Sequence, residues 1–418
     1  MSRSLKVFGA LLFGLVLGAG VDANAATPTA TAGKTKRHSA GTARVATSVK
    51  TRTASHPGSV AKGTSHAVAT TKVAGRRHGA RPTLAVRRTR YQEHFSASSY
   101  ADNLTLGDVV EGEDPLVRAA AIEALGNMNG TAIAIDPSTG RILAMVNQKL
   151  ALSRGAEPCS TIKLTVALAA LEEGIVSKDT PVNLGGHYHL TMTEALAHSN
   201  NLYFETLGRQ LGFERVKHYA NEFGLGELAG YHIQGEQLGT YPDEVLPASL
   251  GGVGRMCSFG ESVSMTPLQL GALVSAIANG GTLYYLQHPE TAVDVATFEP
   301  KVKRVLDIAP LIPEISVGMQ GAVQYGTARS LRANFSQFPV MGKTGTCSNN
   351  GTRFGWFGSF ADTPKGRIVT VFFLEGGRPT FGPKAAELTG EFYRALWDKD
   401  YFLQKPTVET SGVVGASE

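Results

Sequence analysis

Glu157-Pro158-Cys159-Ser160-Thr161-Ile162-Lys163 stands ahead of Leu164 to Glu173, a stretch with apolar residues at helical spacing. Glu157-Pro158 breaks the chain, so Ser160 is expected to open the helix with Lys163 one turn along the same face. A serine hydroxyl is a poor nucleophile without a base beside it. A lysine is that base only when its pKa falls well below about 10.4, through burial or neighbouring cations. The plainer reading of the same four residues is an N-capping serine and a surface lysine.

Two further clusters lie downstream. Ser199-Asn200-Asn201 follows Leu190 to His198, inside a helical region expected over Met192 to Leu211. Its hydroxyl and amide suit proton relay and recognition of a substrate amide, and equally an ordinary loop. Lys343-Thr344-Gly345-Thr346 is expected to end a strand that begins at Val340. The lysine and threonines suit an anionic ligand group, and Gly345 lets another segment approach the strand. Strands are also expected over Phe354 to Phe360 and Ile368 to Leu374, with a closing helix over Lys384 to Trp397. Thr131 to Ile135 and Arg141 to Val146 flank Asp136-Pro137-Ser138-Thr139-Gly140 as a hairpin. Strands at both ends with helices between them make an α+β domain with a helical lobe.

In order, these clusters form the Ser-x-x-Lys, Ser-x-Asn, Lys-Thr-Gly set, and the chain resembles the penicillin-binding protein transpeptidase family. Thr131 to Asn147 resembles the family's first hairpin, Glu157 to Gly174 its nucleophile helix, and Thr191 to Gly226 its second-motif segment. The likeness continues through Phe259 to Tyr284, with Thr266-Pro267-Leu268-Gln269-Leu270 and Ala278-Asn279-Gly280-Gly281, and through Gly318-Met319 and Gly326-Thr327-Ala328. Lys343 to Trp397 completes it. The resemblance implies a β-lactamase/transpeptidase-like fold, an antiparallel sheet flanked by helices. It implies that Ser160 is acylated by a D-Ala-D-Ala stem peptide of peptidoglycan, or by a β-lactam, with Lys163 as base. Ser199 would relay protons, Asn201 would orient the substrate amide and Lys163, and Lys343 would hold positive charge near the site. Thr344 and Thr346 would bind the substrate carboxylate beside Gly345, and the N–H groups of Ser160 and Thr346 would form the oxyanion hole. Asn201 stands where class D-like β-lactamases usually carry an apolar residue. The other alternative is a non-enzymatic sensor or scaffold for muropeptides or β-lactams.

The remaining sequence sets the expected context. Arg3 and Lys6, the apolar run Val7 to Val21 and Ala23-Asn24-Ala25 read as an export signal, residues 1–25, cleaved or kept as a short anchor. Residues 26–90 hold 14 Lys or Arg, four His and no acid, and read as a disordered basic linker. That linker is a solvated spacer or a contact to anionic lipid or wall polymer, not a nucleic-acid arm. After position 90 come 24 basic and 34 acidic residues, an acidic transpeptidase-like domain over 91–402 and a tail over 403–418. The chain is expected in the periplasm or on the outer face of the cytoplasmic membrane, with a glycosyltransferase as a candidate partner. No zinc-like Cys/His spacing and no phosphate loop is present, so no metal or cofactor is expected. His187 and His189 receive no role. Of the three cysteines, Cys159 and Cys347 fall near the acyl site on the family pattern. They read most plainly as isolated thiols, and more sharply as cysteines whose oxidation modulates access, while in an oxidising compartment any one pair of the three could form.

Overall fold

A computed structural model describes residues 93 to 403. The expected signal and basic linker lie outside the described residues, as does the tail beyond Leu403. No helix among the described residues is long and apolar enough to cross a membrane.

Helix α1 (Pro115–Leu125) starts at Asp114, whose side chain accepts from the N–H groups of Leu116 and Val117, satisfying donors that the first turn leaves unpaired. It stops at Gly126, φ 55°. Strands β1 (Gly130–Asp136) and β2 (Arg141–Val146) form the expected hairpin, with a register shift between Ala134 and Ile135. The middle of the chain supplies α2 (Lys163–Glu172), α3 (Met192–Ala197), α4 (Asn201–Leu211), α5 (Phe213–Glu222), α6 (Gly252–Phe259), α7 (Pro267–Asn279) and α8 (Ile312–Gln324). Strands β3 (Val340–Asn349), β4 (Thr352–Thr363) and β5 (Gly366–Gly376) follow, and α9 (Gly382–Asp398) closes the domain.

The five strands make one antiparallel sheet in the order β2-β1-β5-β4-β3, so the first hairpin pairs with the last strand. Alternate side chains point to opposite faces, and the cores follow that alternation. Ile133, Ile135, Trp356, Val371 and Phe373 pack against the central helices, α7 among them. Ala132, Ala134, Phe357, Phe372 and Leu374 pack against α1 and α9. A sheet covered on both faces between helical layers is the α+β arrangement expected from the sequence. α7 is buried along almost its whole length and is fixed at its start by a Thr266/Gln269 capping box. Each large apolar side chain buried there contributes about 1.5–3 kcal/mol.

One buried ionic group ties the segment ahead of α1 to the edge strand β2. Arg118 lies 2.8 Å from both Asp108 and Glu113, and Glu113 also meets His288 at 2.9 Å. The two carboxylates accept from the N–H groups of Met145, Asn147 and Gln148. Removing one partner strands the other charges away from water. Arg118→Met is therefore expected to destabilise the domain by about 3–5 kcal/mol, read as a lowered urea midpoint. A loss below about 1 kcal/mol would show that water or His288 replaces the guanidinium.

Candidate active site

Ser160 does not open an α-helix. It sits in a 3₁₀ turn, Cys159–Ile162, and α2 begins only at Lys163. In a 3₁₀ turn, residues three apart eclipse one another, and the Lys163 Nζ lies 2.9 Å from the Ser160 Oγ. The turn is fixed from several sides. Thr161 Oγ1 donates to the Pro158 carbonyl at 2.6 Å, and Trp356 Nε1 donates to the Glu157 carbonyl at 3.0 Å. Strand β3 reaches the turn at Gly345, where a Cβ would lie 2.8 Å from the Pro158 oxygen and 3.2 Å from Thr161 Cγ2. The close approach expected of that glycine is present.

Met192 to Leu211 is not one continuous helix. α3 ends after Ala197 and α4 starts at Asn201, with Ser199 between them at φ 55°. Asn200 caps α4 by accepting from the Tyr203 N–H at 2.9 Å, and its own N–H reaches the Ala195 carbonyl. This break turns both the hydroxyl and the carbonyl of Ser199 towards Lys163, at 3.0 and 2.8 Å, and the Asn201 Oδ1 reaches the same amine at 2.6 Å.

The Lys343 cluster does not end its strand, since β3 continues to Asn349 and pairs with β4 throughout. Among the described residues β3 is an outer strand of the sheet, and its far edge carries no further strand. Lys343 donates to the Ser199 Oγ at 2.8 Å and to the Thr344 carbonyl at 3.0 Å. The Thr344 hydroxyl pairs with Thr327 at 2.7 Å, and the Thr346 hydroxyl accepts from the Gly382 N–H, at the start of α9, at 2.8 Å. Ser160, Lys163, Ser199, Asn201 and Lys343 thus form one connected group, with Thr344, Gly345 and Thr346 along its strand wall. Thr327 is a member to which sequence reasoning gave no role, although its Gly326-Thr327-Ala328 setting was visible.

The two amines are buried completely. Burial, then the charge of Lys343, pushes the Lys163 pKa well down, and Glu205 opposes this. Burial alone lowers Lys343 to about 7. Cations removed from water favour their neutral forms, so the site is built to hold at least one free amine.

Cys159 and Cys347 are not isolated thiols. They form a disulfide with Cα atoms 5.5 Å apart, while Cys257 is free and buried. Cys159 has φ 51°, a left-handed conformation costing a side-chain-bearing residue about 1–2 kcal/mol.

Residues 130–394 match the family described as the penicillin binding protein transpeptidase domain. The chain is 31% identical over 258 residues to stage V sporulation protein D of Bacillus subtilis (strain 168), spanning 51% of this chain and 39% of that protein. It is 23% identical over 340 residues to peptidoglycan D,D-transpeptidase FtsI of Escherichia coli K12, spanning 72% of this chain and 54% of the relative. The chain therefore spans about half the length of such curated relatives or less. A crystal structure of a peptidoglycan glycosyltransferase from Burkholderia ambifaria shares the fold, with TM-score 0.57 and 20% identity over 71% of this chain and 99% of that one. The D,D-transpeptidase domain of a peptidoglycan glycosyltransferase from Eggerthella lenta aligns at TM-score 0.52 and 21% identity, over 68% and 82% of the two chains. By the match over residues 130–394, and by the motifs that meet at Lys163, this chain belongs to the penicillin-binding protein transpeptidase domain family.

Proposed function

We propose that the chain is a serine D,D-acyltransferase, a transpeptidase or carboxypeptidase that acts on D-Ala-D-Ala stem peptides of peptidoglycan and is acylated by β-lactams. The observation that carries this reading is the set of acceptors around Lys163. The Ser199 carbonyl and the Asn201 Oδ1 accept hydrogen bonds and donate none. A neutral amine has two N–H donors, and these two oxygens take both. Its lone pair is left to the hydroxyls, with the Ser160 Oγ at 2.9 Å.

On this reading Lys163 takes the Ser160 proton as the Oγ attacks the carbonyl of the penultimate D-Ala. The N–H groups of Ser160 and Thr346 receive the oxyanion, where losing one donor costs about 10²–10³ in rate. Collapse expels the terminal D-Ala as an amine, and its proton comes through the Ser199 Oγ, which lies within 3.0 Å of both lysines. Thr344 and Thr346 line the place of the terminal carboxylate, with Thr327 holding the Thr344 hydroxyl. Lys343 keeps that wall electropositive when protonated. An amine or water then resolves the acyl-enzyme.

We place this reaction outside the cytoplasmic membrane, in the periplasm or on the membrane's outer face. The export-like residues 1–25 support that placement, as does the Cys159–Cys347 disulfide, since such bonds persist mainly in oxidising compartments. A glycosyltransferase that supplies nascent glycan is the partner chemistry this requires. The basic residues 26–90 suit contact with anionic lipid or wall polymer.

Three outcomes are expected. Incubating the full chain with fluorescent penicillin should give a covalent adduct stable for hours and missing in Ser160→Ala. Release of the label within minutes would favour a β-lactamase, and no label would favour a sensor or scaffold. Acylation should rise with pH as Lys163 loses its proton, and Lys163→Ala should slow it about 10²–10⁴-fold. A rate indifferent to pH between about 5 and 9 would remove lysine from the base role. Lys343, at about 7 when folded against about 10.4 unfolded, binds fewer protons in the folded state between those values. Stability should therefore rise with pH across that window. Lys343→Met should make the rise in urea midpoint shallower, the remainder coming from Lys163, whose pKa is also lowered, and an unchanged slope would show that Lys343 does not contribute.

A further inference from the structure

We propose that the Cys159–Cys347 disulfide is a positioning element for acylation of Ser160, and that thiol–disulfide exchange at Cys347 releases it. This rests on the acyltransfer reading above. The bond joins the residue before Ser160 to the residue after Thr346, across a separation of 188 positions. Of the two N–H groups assigned to the oxyanion, that of Ser160 belongs to the peptide attached to the Cys159 Cα, and that of Thr346 lies one residue before Cys347. The bond fixes the separation of two segments that otherwise meet through side chains.

Cys159 adds a second reason. Its φ of 51° belongs to a region that glycine enters freely and other residues rarely do. Strained conformations of this kind persist where the surroundings over-determine them, and they gather at functional sites. The disulfide supplies that constraint directly, because its Cβ must stay aimed at β3. Without the bond, Cys159 is free to relax towards negative φ and carry the Ser160 N–H with it. The rest of the turn keeps other anchors, the Trp356 and Asn349 contacts to Glu157, so the loss is one of alignment rather than of fold.

The bond is open to attack from one side. Cys159 is fully buried, whereas Cys347 is part-exposed and lines a cavity of about 410 Å³ with Glu157, Arg255, Glu261, Thr346 and Arg353. A thiolate of a dithiol reductant entering there attacks the Cys347 Sγ, and Cys159 leaves as a thiolate that takes up a proton. The second thiol of the reductant then displaces Cys347. Two electrons pass from the dithiol to the protein, leaving two cysteine thiols and an oxidised dithiol. Two arginines and three glutamates line the opening, with Arg255 paired to Glu261 at 2.5 Å and Arg353 to Glu93 at 3.7 Å, so access there rests on exposure of the sulfur rather than on charge.

The test measures fluorescent-penicillin acylation of the full chain when oxidised, after reduction with dithiothreitol, and after reoxidation. Reduction should slow the acylation step at saturating penicillin about 10–100-fold. The apparent affinity and the pH midpoint set by Lys163 should stay unchanged, and reoxidation should restore the rate. A staple that only stabilised the fold would lower the urea midpoint without this selective loss. The double variant Cys159→Gly with Cys347→Ser accepts the left-handed turn but has no bond, and should be slow in either redox state. Folded, reduced protein acylated at the oxidised rate would overturn the proposal, as would a fast double variant or a loss that reoxidation leaves in place. An oxidised chain that takes no label would sink the acyltransfer reading itself.

Discussion

The centre of this molecule is an amine held out of water among oxygen atoms. Lys163 brings a potentially charged group into full burial, a cost that a protein avoids unless the charge is paired or lost. Among the described residues no carboxylate contacts it; its near neighbours are a carbonyl, an amide oxygen and two hydroxyls. These satisfy hydrogen-bonding capacity without holding the proton as firmly as an ion pair would. A second buried amine, Lys343, shares the Ser199 Oγ and makes two simultaneous positive charges unfavourable. The arrangement gives up stability to hold Lys163 towards its neutral form.

Local turns and caps shape each piece of the site, and long-range packing brings the pieces together. Lys163 comes from a helix start, Ser199 from a helix break and Lys343 from an outer strand of the sheet, and each is placed by local strain or close approach. Cys159 and Ser199 are both non-glycine residues at positive φ, and both flank the reacting centre. Strain kept at such points has to be held by the surrounding packing. Here the apolar layers on the two faces of the sheet do that holding, with α7 and α9 buried against opposite sides.

How much of this was legible in the sequence depends on the range of the interaction. The hairpin at Asp136 to Gly140, the helix that ends in Trp397, and Ser160 beside Lys163 follow from local spacing and local turn chemistry. The break at Ser199 was hidden, because Met192 to Leu211 keeps apolar residues at helical spacing while Asn200 acts as a cap inside it. The length of β3 was hidden by its polar end, Cys347 to Asn349. A signal was present in Asn350-Gly351, which turns β3 into β4 with φ values of 48° and 75°, as two-residue hairpins prefer. The pairing of Thr327 with Thr344, and of Cys159 with Cys347, joins segments that only the tertiary fold brings together.

The strand order carries a consequence for how the molecule comes into being. β1 pairs with β5, so residues near 130 await partners near 370. Such distant pairing is slow to form and leaves apolar edges uncovered meanwhile. A chain that emerges N-terminus first carries Ser160 and Lys163 long before β3, β4 and β5 exist to receive them. Ser160 therefore has no strand wall until residues near 340 have been made, and the sheet behind that wall cannot close before residues near 370 follow.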